Sequence, residues 1–142
     1  MSLVILDSNQ NIMSGNLTTT HNGFTGGQFE TLIYVKNNNA GYYYENIEVS
    51  VEMDDLDEGN IFSNSGWSIK LKSTSEQPTE KQWGDILVNS SASLGDIGTS
   101  STPDTTTMRP VWVRVFCPGH TNAQIRKEMR LKLKYYKKVV GA

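Results

Sequence analysis

Apolar and polar residues alternate along three separate stretches of this 142-residue chain, and that period constrains the fold more than any other feature. Ile47, Val49, Val51 and Met53 alternate with Glu48, Ser50 and Glu52. Trp67, Ile69 and Leu71 alternate with Ser68, Lys70 and Lys72, and Met129, Leu131, Leu133 and Tyr135 alternate with Arg130, Lys132 and Lys134. Successive side chains of a strand point to opposite faces, so each stretch reads as a half-buried antiparallel strand with one wet face. Further strands are expected at Leu3 to Leu6, Gln28 to Lys36 and Val111 to Cys117, with a weaker one at Ile86 to Val88. The helical period is nearly absent. The expected fold is all-β, an antiparallel sandwich or barrel with one short helical turn. That turn lies in QPTEKQWG, where Pro78 suits a first helical position and Gly84 an end.

Turn chemistry separates the strands at NNNAG (Asn37 to Gly41), DDLDEGN (Asp54 to Asn60) and CPGHTN (Cys117 to Asn122). Two longer stretches, Ser8 to Gly27 and Asn89 to Thr107, are rich in Ser, Thr, Asn and Gly and poor in core formers. Connections of that length usually carry function or are ordered by something outside the chain. The predicted division is an N-terminal strand with an extended polar arm over residues 1–27 and a sandwich over residues 28–142. A chain of this size buries about two thirds of its unfolded surface, enough to fold without disulfides or metal. The single cysteine, Cys117, and an N-terminus without a basic region leading into a long apolar run predict synthesis in a reducing cytoplasm. No apolar run approaches the roughly 20 residues that span a bilayer, and no membrane partner is expected.

Charge is unevenly placed. From Arg109 onward nine basic residues stand against one acid, Glu128, a net of +8, and the rest of the chain carries −10. Seven acids fall between Glu45 and Glu58 with no lysine or arginine among them. The overall charge of −2 argues against a nucleic-acid partner.

A search for reactive groups finds little. Cys117 and His120 flank Pro118-Gly119, but strand parity turns Cys117 inward as a small buried hydrophobe, and no oxyanion-hole pattern accompanies the pair. The acidic run Asp54, Asp55, Asp57, Glu58 lacks the spacing of a calcium loop and reads as a solvated hairpin tip. No phosphate loop, dinucleotide motif or zinc-spaced Cys/His set is present, so the expectation is a protein that is not an enzyme and takes no cofactor or metal.

Surfaces suited to binding remain. Trp112 and Phe116 lie opposite Val111, Val113 and Val115, so this strand is apolar on both faces. Either the Asn89 to Thr107 loop roofs its outer face, or Trp112 and Phe116 are presented to a partner. The row Arg130, Lys132, Lys134 either pairs across strands with Glu48 and Glu52 or meets the Asp54 to Glu58 tip of a sister copy. Tyr42, Tyr43 and Tyr44 could stack on a surface glycan, though parity sends at least one of them into the core.

The stretch RPVWVRVFCPGHTNAQ, followed by the alternating MRLKLKY, resembles small immunoglobulin-like virion proteins of tailed bacteriophages. FETLIYVKNNN is similar to their early sandwich strand, and GWSIKLKSTSEQPTEKQWGDI to their middle strand pair with its helical link. The resemblance covers roughly Gln28 to Tyr136. It implies an immunoglobulin-like β-sandwich without the paired cysteines of antibody domains. It also implies a structural role in the virion, with the major capsid protein, other virion proteins and sister copies as partners. The implied place is capsid decoration, with a tail, neck or adaptor component as the alternative and a carbohydrate-binding module as a second.

Overall fold

A computed structural model describes residues 3–13, 27–53, 68–117 and 129–141. Its elements in chain order are β1 (Leu3–Leu6), β2 (Gly27–Asn37), β3 (Tyr42–Met53), β4 (Ser68–Lys72), α1 (Glu80–Gly84), β5 (Ala92–Ile97), β6 (Met108–Cys117) and β7 (Met129–Val139). Every strand pairing among them is antiparallel. They form a four-stranded sheet ordered β1-β2-β6-β4 and a three-stranded sheet ordered β5-β3-β7.

One apolar cluster draws on both sheets. Leu3, Ile33, Val35, Ile69, Leu71, Val111, Val113 and Val115 come from the first, and Tyr44, Ile47, Val49, Ala92, Leu94 and Ile97 from the second. The two sheets thus bury their inner faces against each other, as the alternation required. The parity expected for β6 holds, with Val111, Val113, Val115 and Cys117 all buried.

Irregularities in β3 and β5 match each other. The register shifts between Tyr44 and Glu48 of β3 where it faces Gly95 of β5. Asn46 takes φ 54°, its N–H donates to Asp96 Oδ1 at 2.9 Å, and Gly95 takes φ 75°. The extra residue on each strand lets Tyr44 and Ile47, and likewise Leu94 and Ile97, face inward although three positions apart. Of the three neighbouring tyrosines, Tyr44 is the one wholly buried.

Several expectations need correction. The Ser/Thr/Asn/Gly-rich stretch after Asn89 holds a strand, β5, because Ala92, Leu94 and Ile97 suffice to seal the core beside β3. Residues 86–88 form no strand. Asn89 instead borders β4 there, its N–H donating to the Ile69 carbonyl at 2.7 Å while its Oδ1 accepts the Ile69 N–H at 3.0 Å. Those two bonds occupy part of the β4 edge that no described strand pairs with. Pro78 precedes the helical turn rather than opening it. Thr79 is the cap, with Oγ1 accepting the Gln82 N–H and Gln82 Oε1 accepting the Thr79 N–H, a reciprocal capping box.

Part of the expected N-terminal arm is folded. Asp7 Oδ1 accepts the N–H groups of Asn9 and Asn11, and the Met13 N–H reaches the Ile5 carbonyl at 2.9 Å. The chain thereby doubles back on β1 and packs Met13 against the core. The remainder of the arm, residues 14–26, lies outside the described residues.

Numbered along the chain, a constant-type immunoglobulin domain orders its strands 1-2-5-4 and 3-6-7. The described strands run 1-2-6-4 and 5-3-7. The strand expected to be apolar on both faces, β6, lies between β2 and β4, where one face meets the core and the other can be covered.

Candidate binding surfaces

Residues from three strands line up across the outer face of the larger sheet. In-register rows run Leu32, Trp112, Lys72; then Glu30, Arg114, Lys70; then Gln28, Phe116, Ser68. The expected choice was between a roof made by the loop after Asn89 and an open aromatic face. The structure takes neither course. The cover comes from residues 73–85, the link between β4 and α1 together with α1 itself, because a cap at Thr79 and a turn ending near Gly84 bring Trp83 down over the middle row.

Trp83 is completely buried. Its Nε1–H donates to Glu30 Oε1 at 2.6 Å, and its carbonyl accepts from Lys70 Nζ at 2.9 Å. The Arg114 guanidinium stands 5.4 Å from the indole centroid. It donates to Glu80 Oε1 at 2.5 Å and lies 3.8 Å from Glu30 Oε2. Burying an indole removes some 150 to 250 Å² from water, worth about 4 to 6 kcal/mol before ordering costs. The charged groups beneath it are tolerated because a carboxylate, a guanidinium and an ammonium each find partners.

Trp112 is therefore not presented. It is half-buried under the same link, with Nε1–H donating to the Ser75 carbonyl at 3.2 Å. Phe116 is 40% exposed, beyond the edge of the cover. Arg114 separates the two aromatics on this face, so they do not form one patch. Sequence reading missed Arg114 because an arginine at an alternate strand position normally marks a wet face. The signal that could have flagged it was its place between two aromatics in a run, Val111 to Cys117, that is apolar at every other position.

The second surface is β7, an edge of the smaller sheet. Register sets Lys134 opposite Glu48, Lys132 opposite Ser50 and Arg130 opposite Glu52. The cross-strand reading of the basic row thus matches the strand register at Glu48. Lys132 and Lys134 are exposed. Lys138 forms a salt bridge with Glu45, which raises its pKa chiefly through that hydrogen bond. Lys137 sits 4.0 Å above the Tyr42 ring, and Tyr135 meets Tyr44 edge-on at 5.2 Å. Tyr136 is 64% exposed on the wet face, and Val139 is also exposed. The exposed aromatics of β7 were not singled out from the sequence, although the motif LKLKYYKKV carries them.

Asp54, Asp55, Asp57 and Glu58, the acidic tip expected to meet the basic row, lie outside the described residues, as does His120. Among the described residues no group of three or more His, Cys, Asp or Glu side chains gathers, and no helix is long and apolar enough to cross a membrane. No protein-family model matches the chain, and no curated protein sequence matches it.

Proposed function

We propose that this chain is a non-enzymatic structural protein of a tailed-phage virion, an auxiliary protein that decorates the capsid in many copies and works by adhesion. The observation that carries the adhesive part is β7, which sets lysines and exposed aromatics along a sheet edge that no other described strand pairs with. Aromatic side chains within a polar, charged surround are the usual make-up of protein interfaces. The virion part rests on the resemblance of Arg109 to Gln124 and of the last strand to phage virion proteins. Its immunoglobulin-like character is meant in the broad sense of a shared sandwich architecture, with a strand order of its own.

Under this reading the lysines of β7 and the acidic tip Asp54 to Glu58 of a sister copy, or an acidic patch of the capsid protein, set register more than affinity. A tail, neck or adaptor component would use the same surface, and position on the particle distinguishes them. The glycan reading has less support, since Tyr44 is buried and Tyr42 lies under Lys137. The test is antibody labelling of purified virions together with quantitative mass spectrometry. Copies in the hundreds support a capsid coat, a single ring's worth supports neck or tail, and absence from particles overturns the proposal.

A further inference from the structure

The edge of β7 away from β3, which no other described strand pairs with, has a readable polarity. Val140 N–H donates to the Gly41 carbonyl at 3.0 Å, continuing the β3–β7 ladder one residue past its end. In antiparallel pairs the residues that exchange hydrogen bonds alternate with those that do not. Even-numbered residues of β7 therefore turn their peptide groups toward β3. Leu131, Leu133, Tyr135, Lys137 and Val139 turn theirs to the other side, where no strand pairs among the described residues. The bulge lies on β3, so this alternation runs unbroken through β7. An unpaired run of that length is a template for another strand.

The geometry points to β7 as a docking edge for an extended acidic segment of another protein, added as an extra antiparallel strand. This goes beyond the adhesive role proposed above and does not depend on where in a virion, or whether in one, the protein resides.

Charge selects the occupant. From Met129 to Val139 the strand carries five basic residues and no acid. Glu45 of β3 already engages Lys138, whereas the backbone of Glu48 is one strand further from an incoming chain, about 10 Å away and so near the screening distance of physiological salt. A second copy of β7 fits poorly. Twofold pairing centred on residue 133, 134, 135 or 136 sets Lys132 against Lys134, Lys134 against itself, Lys132 against Lys138, or Lys134 against Lys138, respectively. Like charges directly opposite destabilise a ladder. The matching strand instead alternates carboxylates, facing Lys132 and Lys134, with apolar residues facing Leu131, Leu133, Tyr135 and Val139, while Lys138 keeps its own partner in Glu45. Main-chain bonds then supply affinity, and the side chains supply the choice of partner.

The test uses the full chain and a labelled peptide of about nine residues alternating Glu and Val, long enough to lie along the outward-facing stretch. Fluorescence anisotropy measures affinity, and NMR amide exchange locates the contact. Saturable binding is expected, with slowed exchange at Leu133, Tyr135 and Lys137. Affinity should fall at least tenfold for a Lys/Val peptide and for the acidic peptide with alternate backbone nitrogens methylated. Lys137→Pro, which removes one outward N–H and leaves the β3 ladder intact, should weaken binding similarly with an unchanged circular dichroism spectrum. Equal binding of the acidic and basic peptides, protection elsewhere, no saturation at millimolar peptide, or concentration-dependent dimerisation that protects the same amides would each overturn it. Since no virion is involved, failure of the virion reading and failure of this one are separable.

Discussion

Removing Glu30 should destabilise this protein far more than removing Glu80, although both carboxylates contact the same guanidinium. The Arg114 side chain is 8% exposed, Glu30 21% and Glu80 77%. Glu80 reaches Arg114 from water, and an exposed partner contributes roughly 0 to 1 kcal/mol, with a few tenths more from its place in the first turn of α1. Glu30 accepts the Trp83 indole N–H inside the covered face. Its loss strands a buried donor, about 1 to 3 kcal/mol, and leaves Arg114 held only from the wet side. The expected costs are about 3 kcal/mol for Glu30→Ala and about half that for Glu30→Gln, which keeps an acceptor, against at most about 1 kcal/mol for Glu80→Ala. At this chain length 1 kcal/mol corresponds to roughly 2 to 4 °C, so Glu30→Ala should lower Tm by about 6 to 12 °C. Urea unfolding followed by circular dichroism gives the three values on one scale. A loss for Glu80→Ala equal to or larger than that for Glu30→Ala would refute the claim that the cover is held from beneath.

Asp104 accepts two backbone N–H groups and two hydroxyls from Thr106 and Thr107, with the Thr107 hydroxyl the largest influence, and its pKa is lowered from 3.8 to about 2. A depressed carboxylate stabilises the fold above its unfolded pKa and loses that contribution as pH falls from about 4 through 2, so Asp104→Asn should flatten the acid limb of the stability curve, checked by thermal melts across that range. Gly98 takes φ 83° with Tyr43 Cβ and the Asp104 N–H within 3.2 Å of an added Cβ, whereas Gly95 at φ 75° has open space. Gly98→Ala should therefore cost clearly more than the roughly 1 kcal/mol expected for Gly95→Ala, as chemical denaturation would report. The Tyr44 hydroxyl is buried with no hydrogen-bond partner among the described residues, so Tyr44→Phe should be neutral or stabilising by up to about 1 kcal/mol, and a comparable loss in urea titration would contradict it.

Legibility differed from element to element for physical reasons. Where alternation was strict, as in Val111, Val113, Val115 or Ile47, Val49, Val51, one face had to be apolar and the strand was readable. Strand β5 was hidden because its inward set is small and is broken by Gly95, whose left-handed backbone shifts the period by one residue. The roof over β6 was hidden for another reason. Nothing in residues 73–85 announces which sheet face they cross, and Trp83 in isolation reads as a residue of a surface turn. Of the candidate site, the basic row on β7 was visible, whereas the exposure of Tyr135 and Tyr136 required knowing that β7 ends a sheet.

Composition and period two, taken alone, determined that this chain is all-β, which face of each regular strand is buried, and that Cys117 points inward. Those properties depend on neighbours two residues apart, and the chain carries them wherever it folds. The order of strands, the edge position of β7 and the burial of Arg114 beneath Trp83 were decided only by tertiary structure. Each depends on pairings between residues tens of positions apart, such as Glu30 with Arg114 and Trp83, which local pattern cannot encode.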